Sequence, residues 1–323
     1  MAWTVLLSNL VLGIYGFTLI TGLPANLLAF YTFCRKIRQR STPIDVLLLS
    51  LTISDLVFLL FLPFRMIEAA NMKWTLPNFL CPLSGFIYYS TIYNSTLHLT
   101  AISVERYLSV AFPIKYKLKR NPRHAAIAVV FFWLISFAHC SIVYIMRIEY
   151  YSVLESTSVC GEEFSNNQLL IHSKVRLEIF IVLFCAPLLI CCFCYIKFIH
   201  ILYNLPHINT MKRMRAIGIA LGTLLMFIIC FMPFNILQFR RFLGKYEVRL
   251  YTLVTCTLNA CLDPFIFYFS SSAFRETLKS ILRELIRRMA MLSCHSALYC
   301  PLLKVRQQRK EHRDLTVPED VTT

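Results

Sequence analysis

Charge is scarce in this chain: Asp, Glu, Lys and Arg together make up 15% of its 323 residues, where soluble domains carry roughly a quarter. With hydrophobic residues at 57% and a mean hydropathy of +0.61, solubility without lipid is excluded. Acidic residues are the scarcer kind, 17 against 33 Lys and Arg, for a net charge of +16. Such an excess could point to nucleic acid, but these cations are divided among three short loops and a tail. That distribution suits an anionic membrane surface, and no nucleic-acid partner is expected. No metal-ligand spacing and no nucleophile with an adjacent base is found, which argues against an enzyme. No repeat relates the two halves, which argues against most transporters.

What the chain does have is long apolar runs. A spanning helix needs roughly 20 apolar residues, because lipid offers the backbone no hydrogen-bond partner. Seven stretches meet that test, near 8–33, 44–68, 78–108, 123–146, 172–200, 211–239 and 247–270. The expectation is an all-α membrane protein, a bundle of seven transmembrane helices occupying 1–270, with an outer amino terminus over 1–7. That orientation places 24 of the 33 Lys and Arg inside and 9 outside, in accord with the positive-inside rule. No cleavable signal peptide is expected, since the first run is too long for a signal core and lacks a basic leader. A basic amphipathic stretch from Phe274 to Met289 predicts a short eighth helix over 271–290 lying on the inner leaflet. Residues 291–323 are expected to form a disordered cytoplasmic tail. Within it Cys294 and Cys300 are candidates for lipidation. Most of the 13 cysteines fall inside apolar runs, where a thiol is a small apolar residue.

The inner end of the third run carries Glu105, Arg106 and Tyr107. Ionisable residues at the bilayer edge are costly, so an arginine held beside a carboxylate there marks a pathway, a relay or a switch. Several other runs carry signatures of their own: Asn26 in the first, Leu51 to Asp55 in the second, Trp133 in the fourth, Pro187 and Tyr195 in the fifth. Pro233, within Cys-Phe-Met-Pro-Phe, and Asp263-Pro264 complete the set. This ordered set resembles the rhodopsin-like G-protein-coupled receptors over roughly residues 10 to 290. Two departures stand out: Phe231 replaces a frequent Trp, and Tyr268 comes one place late after Asp263-Pro264. A retinal-bound protein is excluded, because Tyr251 to Ser270 contains no Lys for a Schiff base.

The resemblance implies a heterotrimeric G protein of inhibitory type as partner, with arrestin as a second and membrane lipids around the bundle at the plasma membrane. Contact with the G protein is expected at Arg106, at Pro113 and Ile114 in the second inner loop, and at Tyr195, with Phe231 and Pro233 in the switch. Cys81 at the outer end of the third run and Cys160 in the second outer loop lie in the oxidising compartment. Given this fold, they are expected to pair. Asp55, Ser95, Asn259 and Asp263 bring oxygen atoms to mid-membrane depth, either as a hydrogen-bonded network or as a place for a sodium ion. No other cofactor is expected. Prolines 187, 233 and 264 each remove a backbone bond, so their helices are expected to loosen there.

A closer resemblance lies in Thr21 to Leu28, Phe61 to Arg65, Glu68 to Asn71, Ala138 to Cys140, Val175 to Glu178 and Phe269 to Ser272. These segments look like those of the short-chain free fatty acid receptors. That family holds a carboxylate with two arginines and two histidines; Arg176, Arg249 and His139 match three of these positions, and Gln238 stands at the fourth. Tyr89 and Tyr93 are expected to line the same cavity, with Glu162 as a carboxylate that could otherwise pair with Arg176, as could Glu178. Arg65 and His98 are read as structural. The expected function is sensing of short-chain carboxylic acids; the alternative is a receptor for another small anionic metabolite or a longer fatty acid.

Overall fold

The structure is a computed structural model and describes residues 5–151, 160, 174–205, 209–242 and 250–296. All regular elements among them are helical: α1 (Val5–Arg40), α2 (Pro43–Asn71), α3 (Leu80–Ala111), α4 (Pro113–Lys119) and α5 (Pro122–Tyr151) in the first part of the chain. There follow α6 (Lys174–Asn204), α7 (Thr210–Phe242), α8 (Leu250–Thr257), α9 (Asn259–Ser270) and α10 (Ser272–Ser296). The helices up to Phe274 form one compact unit, and α10 from Arg275 onward belongs to a second, described on its own.

Helix ends run beyond the expected apolar limits, because hydropathy marks where lipid stops and caps mark where the helix stops. α1 continues through the basic stretch to Arg40. α2 starts at a reciprocal cap: Thr42 Oγ1 accepts from the Asp45 backbone N–H at 3.3 Å and donates to Asp45 Oδ2 at 2.7 Å. It ends at Met72, whose φ of 54° is the left-handed turn that closes many helices. The expected second inner loop is itself a short helix, α4, with Pro113 at its first turn, where the missing N–H leaves no bond unmade.

Among the described residues, five helices are long and apolar enough to cross a membrane: α1, α2, Pro122–Ile142 of α5, α6, and Arg213–Arg240 of α7. Two expected spans behave differently. α3 has the length, but Ser90, Thr91, Asn94, Ser95, Thr96, His98 and Thr100 make it polar, and all of them are buried. It packs against α2, α5, α6 and α7, so its polar groups meet protein rather than lipid. Its neighbours instead turn Leu60, Phe131 and Leu189 outward, as a lipid-facing surface requires.

The seventh run is divided at Leu258 into α8 and α9. The interruption lies upstream of the expected loosening point, Pro264, and the helix continues through that proline. The reason is local. Pro264 has no N–H to give the carbonyl of Ala260, and Asn26 Nδ2 donates to that carbonyl instead, at 2.8 Å. Leu258 keeps φ −63° and ψ −20° while its carbonyl is shared by Cys261 and Leu262, both at 3.1 Å. The turn is tightened there, not broken open.

In α6 the five residues Ile181–Cys185 form a π-helical turn immediately before Pro187, a wide turn that absorbs the missing bond. α10 runs to Ser296, six residues into the region expected as disordered tail, and Glu284 bonds both Arg287 and Arg288 along it at 2.9 to 3.0 Å.

Candidate functional site

The half of the bundle that carries Cys81 and Cys160 is rich in aromatic rings on α2, α3, α6 and α7. Tyr88 lies against Phe58 at 5.1 Å and against Tyr89 at 5.6 Å. Tyr89 in turn stacks on Phe234 of α7, with centroids 5.7 Å apart and planes at 19°. Tyr88 is tied to the seventh run by a 3.0 Å hydrogen bond between its hydroxyl and Thr257 Oγ1. A second aromatic column, Phe180, Phe184, Phe227 and Phe231, joins α6 to α7. Pro233, two residues after Phe231 and next to Phe234, places these rings in the bend-prone part of α7.

Arg176 enters this region from the first turns of α6, partly buried, and its charge acts on the buried hydroxyl of Tyr93 on α3. Residues two apart on a helix project to nearly opposite sides, so Glu178 points elsewhere. It accepts from His139 Nδ1 of α5 at 3.0 to 3.1 Å. Of the expected ligand contacts, Tyr89 and Tyr93 stand one turn apart on α3 with Tyr93 within reach of the Arg176 charge, Gln238 is part-buried on α7, and His139 is engaged with Glu178. Arg249 and Glu162 lie outside the described residues. The His139 to Glu178 pairing was missed in the sequence, where 39 residues separate the two and only the fold brings α5 beside α6.

Arg65 and His98 sit as structural residues do. Arg65 Nη1 donates to Glu68 at 2.8 Å. His98, fully buried, has Nδ1 at 2.7 Å from the Asn94 carbonyl and packs edge-on against Phe132. Cys81 and Cys160 form a disulfide with Cα atoms 5.7 Å apart.

Deeper, Asp55, Ser95, Asn259 and Asp263 lie close together, and all four are buried. Asn259 Nδ2 donates to Asp263 Oδ2 at 2.7 Å, and Ser95 Oγ donates to Ser54 at 3.4 Å. Asp55 Oδ2, Asp263 Oδ1 and Asn259 Oδ1 are buried acceptors with no donor, and the two carboxyl groups interact directly. Such an arrangement needs a shared proton or a cation between the oxygens. An adjoining cavity lined by Asp55, Thr91, Ser95, Phe231 and Asn259 has room for about one water-sized occupant. The donor set and the space fit a small hard cation and exclude a fatty acid at this depth.

At the opposite end of the bundle, Arg106 is not held by its neighbour Glu105. The Glu105 carboxylate accepts from the Tyr116 hydroxyl of α4 at 2.6 Å. Burial and then that bond push the Tyr116 phenol above its usual range, so it remains a donor. Arg106, nearly buried, reaches Thr223 of α7 at 3.5 Å and lies against Tyr195 of α6. Arg106 thus joins α3 to both helices. Tyr107 packs edge-on against Phe112 and Phe193. Pro113 opens α4, which presents Ile114 at 76% and Leu118 at 81% exposure, one turn apart. Leu118 and Thr223 escaped the sequence reading; the one-turn spacing to Ile114 was its only available signal. Cys294 lies within α10 and Cys300 outside the described residues.

Residues 25–267 match the model of the 7 transmembrane receptor (rhodopsin family). The chain is 45% identical over 282 residues to human G-protein coupled receptor 42, covering 85% of this chain and 80% of that one. It is 43% identical over 281 residues to mouse Free fatty acid receptor 3, covering 85% and 87%. With rat Free fatty acid receptor 2 the identity is 45% over 278 residues, covering 83% and 84%.

Proposed function

The chain belongs to the rhodopsin family of seven-transmembrane receptors, and from that premise we propose that it is a cell-surface receptor for short-chain carboxylic acids that activates a heterotrimeric G protein of inhibitory type. Membership makes it a multi-pass membrane receptor and not an enzyme. The likeness to free fatty acid receptors supports the ligand class. The observation that carries it is Arg176, a half-buried cation in the first turns of α6 whose charge reaches the buried Tyr93 of α3, the helix that also carries Tyr89, stacked on Phe234. A guanidinium in such surroundings favours an anionic oxygen, while the aromatic floor limits the length of the attached chain.

In this reading Arg176 and Arg249 hold the carboxylate. Tyr89, Tyr93 and Gln238 bound the cavity, His139 stands at its edge through Glu178, and Glu162 offers a competing carboxylate for Arg176 when no ligand is bound. Seven spans, an outer amino terminus and a bundle over 1–270 are part of the proposal, with α3 counted as a span because its polar face is enclosed. A membrane-lying eighth helix, lipidation at Cys294 or Cys300, and arrestin binding are parts of it too. Asp55, Ser95, Asn259 and Asp263 would hold a sodium ion that supplies the missing positive charge between the two carboxylates. At the inner end Glu105, Arg106, Tyr107, Pro113, Ile114 and Tyr195 would meet the G protein when Phe231 and Pro233 of α7 move.

The test is a dose-response series of straight-chain acids on cells expressing the chain, run beside Arg176→Ala and Arg249→Ala with surface expression measured. Responses to two- to four-carbon acids that vanish in both variants support the proposal. A parent silent to carboxylates, or responding best to a different class of anion, refutes it.

A further inference from the structure

Glu68 lies in the last turns of α2 and is only 5% exposed. Its two carboxylate oxygens serve two different partners. Oε2 accepts from Arg65 Nη1, one turn back on the same helix, at 2.8 Å. Oε1 accepts from the backbone N–H of Cys160, 92 residues away in sequence, at 2.8 Å. Cys160 is the residue bound through its sulfur to Cys81 in the first turn of α3.

One residue of the outer segment is therefore held to two helices by two kinds of link. The disulfide contains several rotatable bonds and by itself leaves the peptide plane of Cys160 free to swivel. A charge-assisted bond from a buried carboxylate on α2 removes that freedom, since it fixes the direction of the N–H as well as its place. Arg65 aims the carboxylate by holding its other oxygen. The anchored point stands eight residues, or about 12 Å along α3 at 1.5 Å per residue, outward of Tyr89. It thus lies outward of the Tyr89–Phe234 ring pair.

We propose that Glu68 is a positioning residue of the ligand site, which clamps the Cys160 backbone to α2 and so sets the entrance through which a carboxylate reaches Arg176. The clamp itself is independent of what the receptor binds; its effect on ligand rests on the carboxylate reading above.

Two double variants separate a clamp from an ordinary ion pair. Arg65→Met with Glu68→Gln removes both charges yet leaves an amide oxygen for the Cys160 N–H. Arg65→Met with Glu68→Met removes both charges and the acceptor. Neither leaves an unpaired buried charge, so both are expected to fold. Hydrogen exchange is followed in the peptide spanning Cys160 of purified receptor, after mass spectrometry confirms the disulfide. Exchange at the Cys160 amide is expected to be roughly two- to tenfold faster in the Met variant than in the Gln variant, the range for one hydrogen bond to a neutral acceptor. The potency of propionate is expected to fall in the Met variant relative to the Gln variant. Equal exchange in the two doubles overturns the clamp. Different exchange with equal propionate potency overturns its role at the entrance. A parent that ignores propionate refutes the carboxylate reading, while the exchange comparison still decides the clamp.

Discussion

Replacing Arg176 with Ala removes a cation from the first turns of α6, where its charge bears on Tyr93. A charge-assisted bond to a carboxylate contributes about 1.5 to 3 kcal/mol, so roughly ten- to a hundredfold in potency is at stake for each arginine. Arg176→Ala is expected to abolish the response to short acids within a usable concentration range, with normal surface expression; a parent-like concentration curve would refute the contact. Gln238 gives a second test. It is neutral where the family resemblance implies His, and a histidine gains its proton only as pH falls through about 6.5. Gln238→His should therefore strengthen the carboxylate response at mildly acidic pH and leave it little changed at pH 7.5 or above. A response indifferent to pH in that variant would place Gln238 outside the carboxylate's reach. At this scale the sequence was legible where one residue type has one use. Asp55 and Asp263 announce themselves as carboxylates in apolar runs and do meet, with Asn259. The partners of Glu105 and Glu178 were not legible. Adjacent and near-adjacent cations looked like natural mates in the sequence, but helical geometry sends the side chains to Tyr116 and His139.

Elements were easy to count and harder to divide. Apolar runs located each long helix to within about seven residues at either end, yet they concealed the polar, enclosed face of α3 and the tightened turn at Leu258, which depends on carbonyl sharing. The contact between α1 and α9 was equally hidden. A Cβ added at Gly22 would stand 3.2 Å from the Ala260 carbonyl oxygen, the same atom that accepts from Asn26. Gly22→Ala must push the two helices apart or displace that bond, and a lowered thermal midpoint of the purified receptor is expected. Gly218→Ala is the control. No atom lies within 4 Å of the Cβ it would add, and Ala is the better helix former by about 1 kcal/mol, so its midpoint should hold or rise. Equal midpoints for the two variants would disprove the close approach. On α4, Ile114 and Leu118 form an exposed apolar pair above Lys115, Lys117 and Lys119. Ile114→Ala is expected to slow nucleotide exchange on the G protein without altering ligand binding. Unchanged exchange would assign the pair to the membrane surface.

For the molecule as a whole, the size of the proposed ligand limits how tightly it can be held. The best very small ligands gain no more than about 1.5 kcal/mol per heavy atom, so acetate, with four such atoms, reaches roughly 6 kcal/mol. A dissociation constant of 1 mM corresponds to about 4.1 and 1 μM to about 8.2 kcal/mol, which leaves acetate no tighter than tens of micromolar. A receptor of this kind reads an abundant metabolite. Each added methylene contributes about 0.8 kcal/mol while there is room, and overpacking reverses the gain once there is none. The Tyr89–Phe234 stack and buried Tyr93 supply the wall against which the chain would stop. Potency across a homologous series of straight-chain acids is therefore expected to rise by a few-fold per carbon and then collapse. Removing the wall with Phe234→Ala should move the collapse to longer chains, provided the variant reaches the surface. Potency that climbs steadily into long-chain acids in the parent would instead favour the longer-lipid reading, and would require a cavity that passes Tyr89 and Phe234 rather than ending at them.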